Sequence, residues 1–202
     1  MQPRLLGVAL AGVGVVAVPP GDYEVTETLV VRQPTDLDMR GVTLFPAAGV
    51  DCLRVDPAAR WSTVRAPFVV GSSNAHVAVG IDVHAHHVTL VSPFVTWMGT
   101  GIRYASAAGT NANCGHVCGA TIHQPHSIGL HLKGGDCNAG SFDAIEILGA
   151  AGVTKHGILD ESFLGNLMRG VHISSTREEA IKITAVANYG TWEGCYVENN
   201  VG

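Results

Sequence analysis

Charged residues are scarce in this chain of 202 residues, at 14% of the sequence against about 25% in an ordinary soluble protein. Lysine and arginine number 12 against 17 acids, and they form no basic cluster anywhere in the sequence. A nucleic-acid-binding protein relies on such a cluster for its phosphate contacts, so we exclude that class. Hydrophobic residues nevertheless make up 47% of the chain, which is enough for one sizeable core.

The dipeptides Asn-Gly and Asp-Gly, which mark tight β-hairpins, are both absent. Glycine is abundant, with 25 residues, and valine is common, whereas strong helix formers are few. This combination predicts short strands joined by tight turns that are not hairpin turns. No linker or low-complexity stretch divides the sequence, so residues 1–202 are expected to form a single domain.

A regular set of cysteine pairs is also lacking, because the five cysteines are irregularly spaced and at least one must be unpaired within the chain. An odd number excludes a small fold built on a disulfide framework. Cys114 and Cys118 are close together, with Cys137 downstream, and this group is open to three interpretations: a metal site, a disulfide, or buried thiols. Zinc sites usually bring a second cysteine pair, and none is present. We therefore expect no metal and no cofactor.

No apolar run is long enough to cross a membrane as a helix, which needs about 20 residues. Residues 5–18 resemble the apolar part of a signal peptide, but no small-x-small cleavage site precedes the turn at Pro19-Pro20-Gly21. Alternating valines lead into that turn as a strand would. The sequence favours a short cap followed by the first strand, with no membrane span.

A short pattern recurs along the chain: glycine, an aliphatic residue, any residue, then an aliphatic or aromatic residue. Copies that repeat every 20 to 30 residues, with strands of three to five residues, are typical of a solenoid. The copies are Gly80-Ile81-Asp82-Val83, Gly101-Ile102-Arg103-Tyr104, Gly129-Leu130-His131-Leu132 and Gly170-Val171-His172-Ile173, with a degenerate copy at Gly157-Ile158-Leu159-Asp160.

The alternation in each copy predicts which side chains face the interior, because successive residues of a strand point to opposite faces. The glycine is expected to supply a positive φ or a close backbone approach. We expect Asp82, Arg103, His131, His172 and Lys182 to face outward. The expected inward residues are Ile81, Val83, Ile102, Leu130, Leu132, Ile145, Ile147, Val171, Ile173, Ile181 and Ile183.

Several segments carry a family resemblance: the valine-rich residues 15–18, the Pro-Gly-Asp-Tyr turn at residues 20–23, and the second strand with its turn at residues 28–44. Residues 162–166 and 194–198 look like later coils of the same fold. The chain resembles the pectate-lyase-like right-handed parallel β-helices, of the phage-tailspike and bacterial-surface type. The resemblance implies an all-β, single-stranded right-handed parallel β-helix.

Two departures from that family concern the ends of the chain. The helix that usually plugs the first coil is reduced to residues 2–11, which are short and interrupted by glycine. We therefore expect a short or degenerate N-terminal cap. The sequence stops after Glu198-Asn199-Asn200, where such proteins normally continue into another coil. This predicts that the chain is the leading part of a longer solenoid.

The superfamily includes hydrolases, lyases, epimerases and inert scaffolds, so the resemblance alone does not decide the activity. The polygalacturonase motifs Asn-Thr-Asp, Asp-Asp, Gly-His-Gly and Arg-Ile-Lys are all absent. Glycoside hydrolysis needs two carboxylates about 5 to 9.5 Å apart, a distance that outward residues on neighbouring coils can satisfy. The candidates for catalysis are Glu146, Asp160, Glu161 and His172. The competing interpretation is that they are solvated outward or turn residues.

Sugar rings pack on flat aromatic side chains and bond to polar ones, and this gives a second set of candidates. The candidates for ligand binding are Trp97, His131, Trp192, Tyr196 and Glu198. Together these features predict a carbohydrate-active protein that hydrolyses an extracellular or cell-surface polysaccharide. The alternative is a non-catalytic carbohydrate-binding or structural module of a cell surface or virion, and a polysaccharide lyase is the third choice. In each case, the further partners expected for the protein are copies of itself, for example in a trimer, or adjoining coils of a longer chain.

Overall fold

The computed structural model describes residues 4–5, 14–72, 77–107, 110–184 and 189–201, and these form three parallel β-sheets. Sheet A contains β1 Arg4–Leu5, β3 Gly21–Val25, β6 Val42–Pro46, β9 Phe68–Val70, β12 Phe94–Thr96, β15 Thr121–His123, β18 Glu146–Leu148, β21 His172–Ser174 and β24 Tyr196–Glu198. Sheet B contains β4 Leu29–Val31, β7 Leu53–Val55, β10 Val79–Val83, β13 Thr100–Ala105, β16 Ile128–Lys133, β19 His156–Asp160 and β22 Ile181–Ile183. Sheet C contains β2 Gly14–Ala17, β5 Thr35–Asp38, β8 Thr63–Arg65, β11 Thr89–Val91, β14 His116–Cys118, β17 Ser141–Asp143, β20 Leu167–Arg169 and β23 Thr191–Glu193.

The chain visits sheets C, A and B in turn and then repeats, so each strand pairs in parallel with the equivalent strands of the coils before and after it. For example, β13 pairs with β10 on one side and with β16 on the other. The helical content of the described residues is one short 3₁₀ turn, Pro57–Ala59. The predicted all-β parallel solenoid is confirmed.

Within the predicted cap, Arg4–Leu5 pairs as a strand with β3. The rest of the predicted cap, within residues 2–11, lies outside the described residues. Residues 14–17 form the expected strand before the Pro-Pro-Gly turn. No helix in the described part of the chain has the length and apolar character to cross a membrane.

The interior is built from ladders of aliphatic side chains, one from each coil. Nine of the eleven residues predicted to face inward are buried, and Ile147 and Ile173 are examples that stack between sheet A strands. The two exceptions are Ile181, which is half-buried, and Ile183, which is 45% exposed. Both occupy inward positions by register, opposite Ile158 and Asp160, but they lie in β22, the edge strand of sheet B.

At four of the five pattern copies the repeated glycine serves the second of its two expected roles, a close approach of the backbone. Gly80, Gly101, Gly129 and Gly157 stack in register in sheet B, and none of them has a positive φ. A Cβ on Gly129 would lie 2.6 Å from both the Gly157 carbonyl oxygen and Ile147 Cγ2. The absence of a side chain therefore lets successive coils approach each other. Gly170 belongs to a different stack, at the corner before sheet A, and does have a positive φ of 59°.

The corner between sheets C and A repeats one backbone conformation in coil after coil. The residue directly after the sheet C strand is left-handed from β8 onward: Ala66, Ser92, Gly119, Ala144, Gly170 and Gly194. Non-glycine residues adopt this conformation at a cost, so the surrounding structure must impose it. This corner fixes the angle at which each coil turns onto sheet A.

Asparagine side chains hold the corner between sheets B and C. Asn113 Oδ1 accepts a hydrogen bond from the Asn138 N–H, and Asn138 Oδ1 accepts one from the Leu164 N–H. In the same stack, Asn166 Oδ1 accepts a hydrogen bond from the Gly140 N–H. These side chains satisfy backbone donors at the turns, where no strand is available to pair with them.

The outward face of sheet B carries a ladder of charged residues, as the sequence predicts for Asp82, Arg103, His131 and Lys182. Asp82 is almost fully buried and accepts two hydrogen bonds from the Arg103 guanidinium, at 2.8 and 2.7 Å. His84 Nε2 lies 2.7 Å from Asp82 Oδ2, the oxygen that also accepts the hydrogen bond from Arg103 Nη2. Burial alone would raise the pKa of Asp82, but the hydrogen bonds from His84 and Arg103 lower it below its usual value.

We expect Asp82→Asn to destabilise the protein at neutral pH by about 2 kcal/mol, because it weakens hydrogen bonds between charged groups. The lowered pKa means that the native carboxylate stabilises the fold above the unfolded value of about 3.9, and that this contribution is lost as the pH falls through the native pKa. The variant should therefore lose less stability on acidification than the parent. Urea unfolding between pH 7 and pH 3 measures both effects. Asp22→Asn, at an exposed position, is the control, and an equal acid dependence in parent and Asp82→Asn would contradict the prediction.

Candidate functional site

Four of the predicted site residues come together on the outward face of sheet A. The register places Glu146 of β18 opposite His172 of β21, and His172 opposite Tyr196 of β24. Glu198 lies two residues after Tyr196 and therefore points to the same side of the sheet. The interleaved Ile147 and Ile173 are buried in the core, which fixes the outward direction of these polar side chains.

His172 lies between the two carboxylates of this group. Its Nδ1 is 3.9 Å from Glu146 Oε1, and its Nε2 is 3.3 Å from Glu198 Oε1. Tyr196 Oη donates a hydrogen bond of 3.1 Å to the other Glu198 oxygen, and its ring centroid is 5.4 Å from that of His172. The bond to the carboxylate raises the pKa of Tyr196 above its usual value, because Glu198 favours the protonated phenol.

The ring of His172 also limits how far apart the two carboxylates can be. Its two nitrogens are about 2 Å apart, so the nearest oxygens of Glu146 and Glu198 are separated by no more than about 9.5 Å. This upper limit coincides with that of the range of about 5 to 9.5 Å over which paired carboxylates cleave glycosidic bonds. Both side chains remain partly open to solvent, at 47% and 39% exposure, so a ligand can reach them.

An aromatic pair occupies the same ladder of sheet A, two coils before Glu146. Phe68 and Phe94 are in register, with ring centroids 4.4 Å apart and planes at 4°. A groove of about 270 Å³ runs beside them, lined also by Thr43 and the preceding corner. Thr121 is the intervening residue between Phe94 and Glu146. An apolar platform and the carboxylate pair thus share one continuous face.

The phenylalanine pair is missing from the sequence-based candidates, although the sequence contains a signal for it. Pro67-Phe68-Val69 and Pro93-Phe94-Val95 are the same tripeptide, 26 residues apart, which is one coil. Equal residues one coil apart stack in a solenoid. A search for repeated tripeptides would have found the pair.

Asp160 and Glu161, two of the predicted catalytic carboxylates, do not lie on the outward face of sheet A. Asp160 was predicted at an outward or turn position, and this is wrong, because it occupies an inward position opposite Leu132 and is 1% exposed. Its carboxylate accepts hydrogen bonds from the backbone N–H and the hydroxyl of Ser162. Glu161 follows at the end of sheet B, where its Oε2 is 3.3 Å from His131 Nε2. Glu146 is therefore on a different face from both.

The predicted binding residues also divide between faces. Trp192 was expected to be an exposed stacking residue, and this is wrong, because it lies in the inward ladder of sheet C opposite Met168 and packs against the core. Trp97 is 43% exposed, but it lies at the corner after β12 with a φ of 60°. His131 is on sheet B, beside Arg103. Tyr196 and Glu198 are the two binding candidates that share a face with Glu146.

A second cluster of ligand atoms was not predicted. His156, which is buried, has Nδ1 3.2 Å from Glu179 Oε2 and Nε2 3.6 Å from Glu178 Oε2, an arrangement that could hold a metal ion. The carboxylates already have cationic partners, since Arg177 contacts Glu178 at 3.0 Å and Lys182 contacts Glu179 at 3.3 Å. The cluster is thus internally neutralised and does not carry a functional assignment.

All five cysteines lie within the described residues, and each is a free thiol. Of the three interpretations of Cys114, Cys118 and Cys137, the buried thiol applies to Cys137, whereas the other two are exposed. Cys137 Sγ donates to the carbonyl oxygens of Tyr104 and Lys133, and burial raises its pKa to about 11. A thiol of this kind is protonated at neutral pH and unreactive.

The placement of His131 gives a prediction about pH. Burial lowers its pKa, Lys133 and Arg103 lower it further, and Glu161 opposes them in part. Nε2 is buried, and its contact with Glu161 lacks hydrogen-bond geometry. A native pKa below the unfolded value of about 6.5 means that stability is present above that pH and is lost as the pH falls below it.

We therefore expect the free energy of unfolding to fall from pH 7 to pH 5, by at most about 1.4 kcal/mol per pH unit from this one group. His131→Gln should reduce that slope, because the side chain can no longer take up a proton in the unfolded state. Guanidinium unfolding at intervals of half a pH unit measures the slope. The half-exposed His116 supplies the control variant, His116→Gln. A slope unchanged by His131→Gln would show that this histidine does not couple protonation to folding.

Comparison of the chain with protein-family models, with curated proteins and with solved structures finds no match in any of the three. The fold and the geometry of the sheet A face are therefore the observations on which a function must be argued.

Proposed function

We propose that the protein is a carbohydrate-active β-helix of the pectate-lyase-like type that hydrolyses glycosidic bonds of an extracellular or cell-surface polysaccharide. The observation that carries this proposal is the contact of His172 with both Glu146 and Glu198. This contact keeps two partly exposed carboxylates within about 9.5 Å of each other, the largest separation used in glycoside hydrolysis. A polysaccharide of this kind would place the protein outside the cell or on a virion.

The roles of the two carboxylates follow from their partners. Glu198 accepts a hydrogen bond from Tyr196 and faces His172 Nε2, which suits a carboxylate that acts as the general base and activates water. Glu146 is beyond hydrogen-bond distance of His172, at 3.9 Å, and would donate its proton to the leaving oxygen. We assign an inverting mechanism, because the limit of about 9.5 Å on their separation accommodates the separation of about 6.5 to 9.5 Å in inverting enzymes.

The test is a reducing-sugar assay of the purified protein on a panel of polysaccharides, followed by NMR of the first product formed. We expect turnover on at least one polymer, with inversion at the anomeric carbon. Retention of configuration would contradict the assigned roles, because it requires carboxylates about 5 to 5.5 Å apart. Absence of turnover on every polymer would contradict the proposal of hydrolysis.

A non-catalytic carbohydrate-binding module is the second candidate, and a specific observation favours it. The stacked pair of Phe68 and Phe94, with its adjacent groove, offers an apolar platform two to three coils away from the carboxylates. Such a platform binds sugar rings without chemistry. Binding of a polysaccharide without turnover, lost in Phe94→Ala, would select this candidate. A lyase needs a basic Arg or Lys at the site, and the strands of sheet A from β3 to β24 contain neither.

A further inference from the structure

The charges on the proposed glycan face are all of one sign. The outward side chains of sheet A from β3 to β24 include acids at both ends, Asp22 and Glu24 at one end and Glu146 and Glu198 at the other. Between them are threonine, histidine and phenylalanine side chains, such as Thr121, His123 and Phe94. Lysine and arginine are absent from all eight of these strands.

Three arginines at the corners beside this face are already bonded to acids. Arg65 Nε donates to Asp36 at 2.8 Å, and Arg169 Nε donates to Asp143 at 2.6 Å, both on the neighbouring sheet C. On the other side of sheet A, Arg177 pairs with Glu178 at 3.0 Å. A negatively charged ligand on sheet A would therefore meet carboxylates, and it would gain a counter-charge from these arginines only by breaking an ion pair.

The length of the face suits a chain of sugars. Eight strands at about 4.8 Å spacing extend over roughly 34 Å along the solenoid axis. The aromatic pair lies near the middle of this span, so apolar ring faces can pack there while hydroxyl or amino groups bond to the acids.

We propose that the glycan bound on sheet A is uncharged or bears amino groups, and that glycans bearing carboxylate or sulfate groups are rejected. This rests on the function proposed above, and it narrows the substrate class of the same site. The carboxylates supply acceptors for hydroxyl and ammonium groups, and the lack of cations on the face leaves an acidic sugar without a partner.

Calorimetric titration with hexasaccharides tests the substrate class at neutral pH and 0.1 M salt. The probes are the uncharged hexamers of cellulose, amylose, mannan and chitin, the amino hexamer of chitosan, and the acidic hexamers of polygalacturonate, alginate and hyaluronan. We expect the tightest ligand to be uncharged or amino-bearing, and every acidic hexamer to bind at least tenfold more weakly. An acidic hexamer as the tightest ligand would overturn this inference and leave the proposal of a carbohydrate-active protein intact. Binding of no hexamer would overturn both.

A lysine introduced on the outward face of sheet A distinguishes binding at this face from a general attraction of the ligand to the acidic protein. Thr121→Lys lies between Phe94 and Glu146 and should weaken binding of the chitosan hexamer at least tenfold. Thr89→Lys makes the same change on sheet C and should leave the affinity within twofold of the parent. Equal losses in both variants would show that net charge, and not this face, selects the ligand.

Discussion

Glu198→Gln should lower turnover of the responsive polysaccharide by a factor of about 10² or more, the scale expected when a general base is removed. The amide is the same size as the carboxylate and can still accept the hydrogen bond from Tyr196, so the surface should keep its shape. Glu146→Gln should have an effect of similar size, through loss of the proton for the leaving group. Initial rates at saturating substrate measure both losses.

Two controls make this result specific to the pair around His172. Glu193→Gln changes an exposed acid on sheet C, and Glu161→Gln changes the acid beside His131 on sheet B. Each should keep at least half of the parent's turnover. Thermal unfolding of all four variants should occur at nearly the same temperature, because these side chains are partly exposed. A large loss in Glu161→Gln with none in Glu198→Gln would refute the assigned pair.

Gly129→Ala should destabilise the protein by about 3 kcal/mol, although it adds a single methyl group. The new Cβ would be 2.6 Å from the Gly157 carbonyl oxygen and from Ile147 Cγ2. The isoleucine is fully buried, and the carbonyl belongs to the adjoining strand of sheet B, so neither can move without disturbing its own coil. The midpoint of urea unfolding, compared with that of the parent, measures the effect.

Gly135→Ala is the matched control for this substitution. Its new Cβ would meet Phe163 Cβ alone, at 3.9 Å, an ordinary contact at an exposed turn. We expect its unfolding midpoint to be close to the parent's. If Gly129→Ala unfolds at the same urea concentration as Gly135→Ala, the close approach of the coils at the glycine stack is not required for stability.

The fold was predictable because a few consecutive residues define its repeating unit. The alternation in Gly129-Leu130-His131-Leu132 identifies the inward side chains without knowledge of neighbouring coils, and both leucines are buried. The same rule also places Asp160 inward, because it is the fourth residue of the degenerate copy Gly157-Ile158-Leu159-Asp160. Its polarity led to the expectation of an outward or turn position, whereas in the structure Ser162 satisfies its carboxylate from two residues away.

The outward positions of the candidate residues on sheet A were predictable, whereas their pairing was not. Glu146, His172 and Tyr196 each stand at outward positions that the sequence reveals, but which of them stack depends on coil length. The coils differ in length because their corners differ: Glu146 and His172 are 26 residues apart, and His172 and Tyr196 are 24 apart. Without the register, Glu146 could be paired equally well with Asp160 or with Glu198.

The inward Asp160 is also expected to weaken the interface between its coil and the neighbouring coils. Each coil of a solenoid is coupled only to its neighbours, so cooperativity depends on the weakest interface between coils. Through Val83, Tyr104 and Leu132 the inward ladder is apolar, and at Asp160 hydrogen bonds to Ser162 replace that apolar contact. The coils before and after β19 are therefore expected to open as separate units. In native-state hydrogen exchange, the amides of β22 should exchange through an opening of lower free energy than the amides of β13.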